Sequence, residues 1–361
     1  MSLSNPSRES FTEVPVIDLR PWYADDPDRR LALASEVGRI CHHVGFFVVI
    51  NHGIDTDLTT SVFDTMKRLF ALPTATKQSI DKTRSRHFRG WEQVGTEFTN
   101  ARRDYREQVD IWDERPVHAP DAEPAYLRMM GPNQWLDERH LPGHRKLIEQ
   151  WIGQLHRVGL DLLELLSVAL GLPQQHLARL FGDESFSLTK LIHYPPSPPG
   201  EAGVNAHKDA GFLTVLAAGE TPGLEVQNPE GEWIPVPSVD DGFVINLGEM
   251  LQALTGNYFV ATPHRVITTQ ERFSAAHFLG PSLDTPLVPL PLAPRFSEAV
   301  AASARHADAG YMAQAAETKA GVADMSSNEH PDTFGEQIWN YYLRSYPAIV
   351  ARHYPDQLDG C

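Results

Sequence analysis

The amino-acid sequence predicts a mainly β core with helices before and after it, on three observations. Short apolar segments punctuated by Gly, Pro, Asn and Asp follow one another from residue 187 to about residue 294. This texture is typical of a β-sandwich or barrel and not of alternating strands and helices. Before it lie segments with apolar residues at every third or fourth position, and after it lie Ala-rich and aromatic segments with a helical pattern.

The composition restricts the class of protein. A chain of 361 residues with 42% hydrophobic and 22% charged residues is globular. The net charge of −16 disfavours nucleic acid and anionic membrane surfaces as partners. The two cysteines, Cys41 and Cys361, cannot form a disulfide framework, and the first residues lack the pattern of a secretion signal. We therefore expect a soluble, cytoplasmic protein that does not contact a membrane.

The first half of the chain contains predicted strands and helices in alternation. β-branched and aromatic runs predict the strands, and apolar residues spaced by three or four predict the helices. Pro73 and Gly171 end two of the helices. The predicted strands cover 14–19 and 45–51, and the predicted helices cover 28–43, 56–72 and 144–170.

The second half predicts the β core and a helical tail. The expected strands are SLTKLIHY, FLTVLA, GLEVQ, WIPVP, GFVINLG, YFVAT and RVIT, and the expected tail helices cover 297–304, 311–319 and 333–346. The chain is thus divided into an N-terminal, largely helical region over 11–185, a β core over 186–295 and C-terminal helices over 296–361 that pack on the core.

A candidate metal site consists of His207, Asp209 and a third ligand from a distant strand, His264. Residues two apart in a strand point to one face, so the first two can present an imidazole and a carboxylate together. Two histidines and one carboxylate leave coordination positions open, which is typical of non-haem Fe(II) oxygenases. A structural zinc site needs four closed ligands, usually with thiolates that this chain cannot supply.

A second His-x-Asp pattern, His306 and Asp308, shows that the pattern alone is weak evidence. It lies between two Ala-rich helical stretches, where residues two apart do not share a face. No strand-borne histidine follows it at a suitable distance. We therefore expect it to have no part in metal binding.

The pair Arg272 and Ser274 follows His264 on the next predicted strand, with both side chains on one face. A planar guanidinium with a neighbouring hydroxyl suits a carboxylate. Near a metal ligand, this pair indicates an anchor for an acidic cosubstrate that binds the same metal.

Several motifs in a fixed order resemble the isopenicillin N synthase-like group of Fe(II)/2-oxoglutarate-dependent dioxygenases, over most of the chain. The motifs are VPVIDL, GFFVVINHGI, FALPTATK and RGWEQVG in the N-terminal part, and HYPPSP, NAHKDAGFLTVL, GLEVQ, FVINLGEMLQALTGN, TPHRV and ERFS in the catalytic part.

The resemblance implies a double-stranded β-helix, or jelly roll, wrapped by helices. It implies Fe(II) held by His207, Asp209 and His264 as catalytic residues, and 2-oxoglutarate held at its distal carboxylate by Arg272 and Ser274. The implied reaction uses O₂ to oxidise a small-molecule substrate, most commonly by hydroxylation, and releases succinate and CO₂, with ascorbate as a stimulant.

The resemblance also bears on two residues of the predicted strand SLTKLIHY. Tyr194 is expected to donate a hydrogen bond to the cosubstrate. Ile192 stands where plant members carry an Asn that contacts it, so that contact is expected to be absent. Two segments are most similar to bacterial members of the family, including the ethylene-forming enzyme. They are TFGEQIWNYYLRSYP and ERFSAAHF.

The sequence is also compatible with three other functions. They are an oxidase of the same fold that needs no 2-oxoglutarate, an ethylene-forming activity, and a cupin-like binding module without turnover.

Six arginines between Lys82 and Glu107 allow two interpretations. They form either a patch at the substrate mouth that binds an acidic or amino-acid-like substrate, or a solvated loop. They are Arg84, Arg86, Arg89, Arg102, Arg103 and Arg106.

Overall fold

The computed structural model describes residues 10–100, 102–182, 184–303, 306 and 333–360. The strands within these ranges are β1 Val16–Asp18, β2 Phe46–Ile50, β3 Gly90–Glu92, β4 Phe98–Thr99, β5 Arg102–Arg103, β6 Glu107–Trp112, β7 Leu188–Tyr194, β8 Val204–His207, β9 Leu213–Ala217, β10 Leu224–Gln227, β11 Trp233–Pro235, β12 Phe243–Leu247, β13 His264–Val266 and β14 Arg272–Leu279. They build a large sheet of eight strands in the order β1-β2-β12-β9-β14-β7-β6-β3, a smaller sheet in the order β11-β10-β13-β8, and a two-stranded hairpin of β4 and β5.

An apolar layer joins the two sheets. Val48, Val244 and Ile192 of the large sheet pack in one cluster with Val226 and Val266 of the smaller sheet. Alternate residues of each strand face this layer, which is the arrangement of a sandwich of two sheets. The predicted jelly-roll core is confirmed.

Helices flank the sheets. They are α1 Arg20–Tyr23, α2 Pro27–His43, α3 Thr56–Phe70, α4 Thr74–Lys77, α5 His144–Ala169, α6 Glu249–Leu254, α7 Pro294–Ala302, α8 Phe334–Ser345 and α9 Pro347–His353. The long helix α5 contacts β9 and β14, and α2 and α3 pack against α5. None of the helices in the described ranges is both long and apolar enough to cross a bilayer.

Strands from the N-terminal part complete the large sheet. β1 and β2 lie at one edge, and β6 and β3 lie at the other, where β6 pairs with β7 in antiparallel register. The large sheet therefore contains strands from both sides of residue 185. The predicted boundary between a helical region and the β core at this residue stays a prediction. The sequence predicts β1 and β2 but not the strands between residues 90 and 112.

Two sequence predictions about strands are wrong. Residues 258–262, the YFVAT segment, form a loop. Their backbone groups bond to other partners, since the Val260 N–H donates to the Cys41 carbonyl and the Ala261 N–H donates to the Gln252 side chain. Asp209 lies in the turn after β8 and not within the strand. The predicted helix over 311–319 lies outside the described residues.

The contact between α5 and β14 depends on a glycine. A Cβ at Gly159 would lie 2.4 Å from a methyl carbon of Leu279, whose side chain is buried, whereas a Cβ at Gly153 of the same helix would meet nothing within 4 Å. The helix can approach the sheet closely only where this side chain is missing.

We expect Gly159→Ala to destabilise the protein by ~1–3 kcal/mol through overpacking. The matched control Gly153→Ala should stabilise it by up to ~1 kcal/mol, because alanine is the better helix former. Urea unfolding followed by circular dichroism measures both. Equal stabilities of the two variants would contradict a close contact at Gly159.

Candidate active site

The structure brings His207, Asp209 and His264 together at one end of the smaller sheet. His207 ends β8 and His264 begins β13, and the two residues are direct cross-strand partners. Asp209 Oδ1 lies 3.5 Å from His207 Nε2 and 3.6 Å from His264 Nε2. The three ligand atoms lie within 4.8 Å of one another, so one metal ion can contact all of them.

The second oxygen of the Asp209 carboxylate is held by the large sheet. Asp209 Oδ2 accepts a hydrogen bond of 2.6 Å from the Thr214 hydroxyl and one of 2.7 Å from the Asn246 amide. These bonds fix the carboxylate so that Oδ1 faces the two imidazoles. Such bonds to a ligating group orient the ligand and raise metal affinity.

The histidine rings are oriented by backbone carbonyls. His207 Nδ1–H donates to the Asn205 carbonyl at 2.9 Å, and His264 Nδ1–H donates to the Thr262 carbonyl at 3.3 Å. A ring that donates through Nδ1 presents the lone pair of Nε2, which is the atom nearest Asp209 in both cases.

The turn that carries Asp209 is fixed by the start of α6. The Glu249 N–H donates to the Asp209 carbonyl at 2.8 Å, and the Met250 N–H donates to the Gly211 carbonyl at 3.2 Å. A Cβ at Gly248 would lie 1.9 Å from the Gly211 carbonyl oxygen. Only glycine permits this close approach of two backbone segments.

The charges of the three residues suit metal binding. Burial and the neighbouring His207 lower the pKa of His264 to about 4. Burial alone would raise the pKa of Asp209, but His264 and His207 hold it well below its ordinary value. Burial lowers the pKa of His207 while Asp209 raises it, with a net shift upward. The ionised carboxylate and neutral His264 are the forms that bind a metal.

This donor set fits Fe(II). It offers two imidazole nitrogens and one carboxylate oxygen from one side, and no cysteine is among them. Three ligands on one face leave positions for a cosubstrate and O₂. The donors therefore agree with the iron that the sequence predicts.

Arg272, Ser274 and Tyr194 form a second group of donors inside the jelly roll. Arg272 and Tyr194 are cross-strand partners on β14 and β7, and the guanidinium carbon lies 5.0 Å from the centre of the Tyr194 ring. The Ser274 and Tyr194 hydroxyls are 3.4 Å apart. All three side chains are buried.

The Arg272 guanidinium is held in place with one nitrogen unused. Nε donates to the Thr221 carbonyl at 3.1 Å and Nη2 donates to the Ala218 carbonyl at 2.9 Å. Nη1 is buried and has no hydrogen-bond partner. Burial lowers the pKa of Arg272. A buried cation with a free N–H is costly unless an anion binds there.

His306 lies outside this site. Its ring stacks on His42 with centroids 4.0 Å apart, and its nitrogens contact the Ser303 hydroxyl and the His42 carbonyl. Asp308 lies outside the described residues. The placement of His306 agrees with a structural role in the contact between α2 and the segment that follows α7.

The six arginines do not form one patch. Arg89 is fully buried and donates to the carbonyls of Gly131 and Asp113, so it supports the fold. Arg84 donates to two backbone carbonyls at the surface, and Arg102 and Arg103 are exposed on β5. Arg86 is partly buried, with its guanidinium carbon 5.9 Å from the centre of the Tyr354 ring. Arg106 is in an ion pair with carboxylates inside the jelly roll.

The residues that support the candidate metal ligands are not predicted from the sequence. Thr214 and Asn246 bind the carboxylate of Asp209, and Gly248 permits the turn. One signal was present, because a single Asn inside the apolar segment FVINL needs a buried partner.

Comparisons with known proteins agree with this geometry. Residues 14–138 match the profile of the non-haem dioxygenase in morphine synthesis N-terminal family, and residues 185–281 match that of the 2OG-Fe(II) oxygenase superfamily. The chain is 32% identical to a 2-oxoglutarate-dependent dioxygenase of Gibberella zeae over 96% of this chain and 92% of the relative.

Two further proteins are similar. A homoarginine-6-hydroxylase of Arabidopsis thaliana is 31% identical over 78% of this chain and 88% of the relative. A full-length Neurospora crassa protein, whose crystal structure is in complex with alpha-KG, has the same fold, with a TM-score of 0.68 and 23% identity over 77% of this chain and 88% of that chain.

The chain belongs to the 2OG-Fe(II) oxygenase superfamily. It is an oxidoreductase whose cofactor is Fe(II) and whose cosubstrate is 2-oxoglutarate, as the sequence predicts. The likeness to bacterial members and to the ethylene-forming enzyme stays a prediction.

We expect Asn246→Ala to lower the affinity for Fe(II) by ~10- to 100-fold, because the Asp209 carboxylate loses one of its two orienting donors. The control Asn228→Ala removes a buried Asn outside the site that bonds to the Phe11 carbonyl and Glu232. It should lose stability but keep its metal affinity. Anaerobic titration with Fe(II) measures both, and equal affinities would show that Asn246 does not support a ligand.

Proposed function

We propose that this protein hydroxylates a small molecule at an Fe(II) centre held by His207, Asp209 and His264, with 2-oxoglutarate anchored by Arg272, Ser274 and Tyr194. The distances among the three ligand atoms and the hydrogen bonds that orient them support the assignment of the metal ligands. The name of the Arabidopsis relative, a hydroxylase, supports hydroxylation as the outcome.

The observation that carries the proposal is the unpartnered Nη1 of Arg272. This buried N–H lies on the same face of β14 as the Ser274 hydroxyl. The Tyr194 hydroxyl lies 3.4 Å from the Ser274 hydroxyl. Together they offer a charged donor and two hydroxyls to one carboxylate. A dicarboxylic acid bound here by one end can place its 2-oxo acid end toward the metal ligands.

When bound, Fe(II) would activate O₂, the oxidant, with 2-oxoglutarate oxidised to succinate and CO₂ and the second oxygen atom passed to the substrate. The chain contributes orientation. Thr214 and Asn246 hold the carboxylate of Asp209, while the Thr221 and Ala218 carbonyls hold the guanidinium of Arg272. Ile192 lies opposite Ser274 and adds an apolar surface that limits water at the anchor.

The alternatives are less well supported. Similar proteins are named 2-oxoglutarate-dependent, which disfavours a 2-oxoglutarate-independent oxidase. A binding module without turnover need not keep three oriented ligands and an anchor together. Ethylene formation uses the same cosubstrate, and product analysis distinguishes it from hydroxylation.

We expect His207→Ala, Asp209→Ala and His264→Ala each to abolish succinate formation while the fold survives, because each removes a metal ligand. His306→Ala should keep wild-type iron binding. Anaerobic iron titration and a succinate assay with Fe(II), ascorbate and 2-oxoglutarate measure these effects. Full activity of Asp209→Ala would refute the ligand assignment.

We expect Arg272→Ala to raise the KM for 2-oxoglutarate at least about tenfold, since a desolvated charge-assisted hydrogen bond is worth ~1.5–3 kcal/mol. Ser274→Ala should have a smaller effect, because the hydroxyl is a neutral donor. The dependence of succinate formation on 2-oxoglutarate concentration measures both. Equal effects of the two substitutions would contradict these roles.

A further inference from the structure

A cluster of buried charges lies inside the jelly roll, and no part of the proposed reaction uses it. Lys82 Nζ lies 2.7 Å from both Asp110 and Glu92, Lys190 Nζ lies 2.9 Å from Glu97, and the Arg106 guanidinium contacts Glu97 and lies 3.5 Å from Asp104. The charge cluster comprises Lys82, Glu92, Glu97, Asp104, Arg106, Asp110 and Lys190.

The charge cluster adjoins the candidate active site. On β7, Tyr194, Ile192 and Lys190 share one face, so the strand that carries the anchor also carries a member of the cluster. Arg106 lies 3.5 Å from Asp104, and Asp104 accepts hydrogen bonds from Asn205, which is two residues before the candidate ligand His207.

The hairpin after Glu97 is tied to the strand of the first ligand. The Asn100 amide donates to the Ala206 carbonyl at 2.6 Å, directly before His207. The Asn205 backbone N–H and side-chain amide both donate to Asp104 Oδ1. Glu97 and Asp104 are therefore held at a fixed position beside β8.

The charge cluster has an excess of negative charge. Its four carboxylates face three basic side chains among the described residues, and the Asp104 and Asp110 side chains are fully buried. Burial, with the negative charges of Glu97 and Asp110, raises the pKa of Glu92 against the effect of Lys82. An uncompensated charge in a buried site is costly, so a cation bound there would stabilise the cluster.

The charge cluster also lacks hydrogen-bond donors. Gln108 and Asp110 lie two apart on β6 and face the same side. The Gln108 amide nitrogen donates to Glu92 at 2.9 Å, which fixes the amide orientation, and its Oε1 has no partner. Asp110 Oδ1 has none either, although both residues are only 1% exposed. Two buried acceptors without donors point to a ligand with N–H groups.

We propose that the charge cluster binds a cationic group, an ammonium or guanidinium, of the substrate that is oxidised at the neighbouring metal centre. The inference rests on the proposed function and names its substrate class. Glu92 and Glu97 form the accessible edge, with side chains 12% and 15% exposed. A guanidinium has several donors in one plane and suits a pair of carboxylates.

Calorimetric titration of the anaerobic protein loaded with Fe(II) and 2-oxoglutarate tests the inference without turnover. The probes are L-arginine, its uncharged isostere L-citrulline, L-lysine and L-glutamate. We expect L-arginine or L-lysine to bind at least about tenfold more tightly than L-citrulline, because a hydrogen bond to a charged group in a buried site is replaced by a neutral one. Stronger binding of L-glutamate, or no preference among the probes, would overturn the inference.

Variants separate charge recognition from structural support. Glu97→Gln should weaken binding of the preferred cation at least about tenfold, while Glu149→Gln, at an exposed pair with Arg145 on α5, should leave it unchanged. Lys190→Gln removes a positive charge and should not weaken cation binding. A loss of cation binding in Lys190→Gln that matches the loss in Glu97→Gln would show that both residues only support the fold, and would overturn the inference.

The two proposals fail in different ways. Absence of iron-dependent succinate formation in the wild-type protein contradicts the proposed function. Succinate formation that is present, but is accelerated by neutral or anionic compounds and by no cationic probe, contradicts only the substrate class.

Discussion

The Asp209 carboxylate joins the two sheets at the candidate metal centre, and the rest of the site depends on this contact. One oxygen accepts hydrogen bonds from Thr214 on β9 and Asn246 on β12, both in the large sheet. The other oxygen faces His207 and His264 of the smaller sheet. The ligand geometry is therefore set by the distance between the sheets, which the apolar layer of valines and Ile192 fixes.

The strand β7 relates the two halves of the substrate site. Tyr194 at its end belongs to the proposed 2-oxoglutarate anchor, and Lys190 belongs to the charge cluster. Four residues of an extended strand span about 13 Å. One stiff element inside an eight-stranded sheet thus holds the cosubstrate anchor and the candidate substrate contacts at a constant separation.

The sequence predicts those candidate site residues that lie in short, recognisable motifs. His207, Asp209, His264, Arg272, Ser274 and Tyr194 lie in such motifs, and the structure brings them together in two groups. The charge cluster has no such motif. Lys82 and Asp110 are 28 residues apart, and Lys190 and Glu97 are 93 residues apart, so only the folded sheet shows that they pair.

Burial and long-range hydrogen bonds explain why the structure differs from two predictions based on local sequence. Arg89 lies among arginines that the sequence groups as one basic segment, yet it is fully buried and bonds to backbone carbonyls. The apolar run YFVAT has the composition of a strand, but its N–H groups bond to α2 and to Gln252. In both cases long-range hydrogen bonds, which local composition does not encode, decide the structure.

The residues proposed to bind the cofactors and the residues proposed to bind the substrate lie in different segments of the sequence, because N-terminal strands complete the large sheet. The groups proposed to hold iron and 2-oxoglutarate lie between Tyr194 and Ser274, whereas six of the seven members of the charge cluster lie between Lys82 and Asp110. Under the proposed roles, substitutions in the first segment affect binding of iron and 2-oxoglutarate, while substitutions in the second affect binding of the substrate. The proposed roles therefore allow the substrate preference to change without substitution of the groups that would hold iron and 2-oxoglutarate.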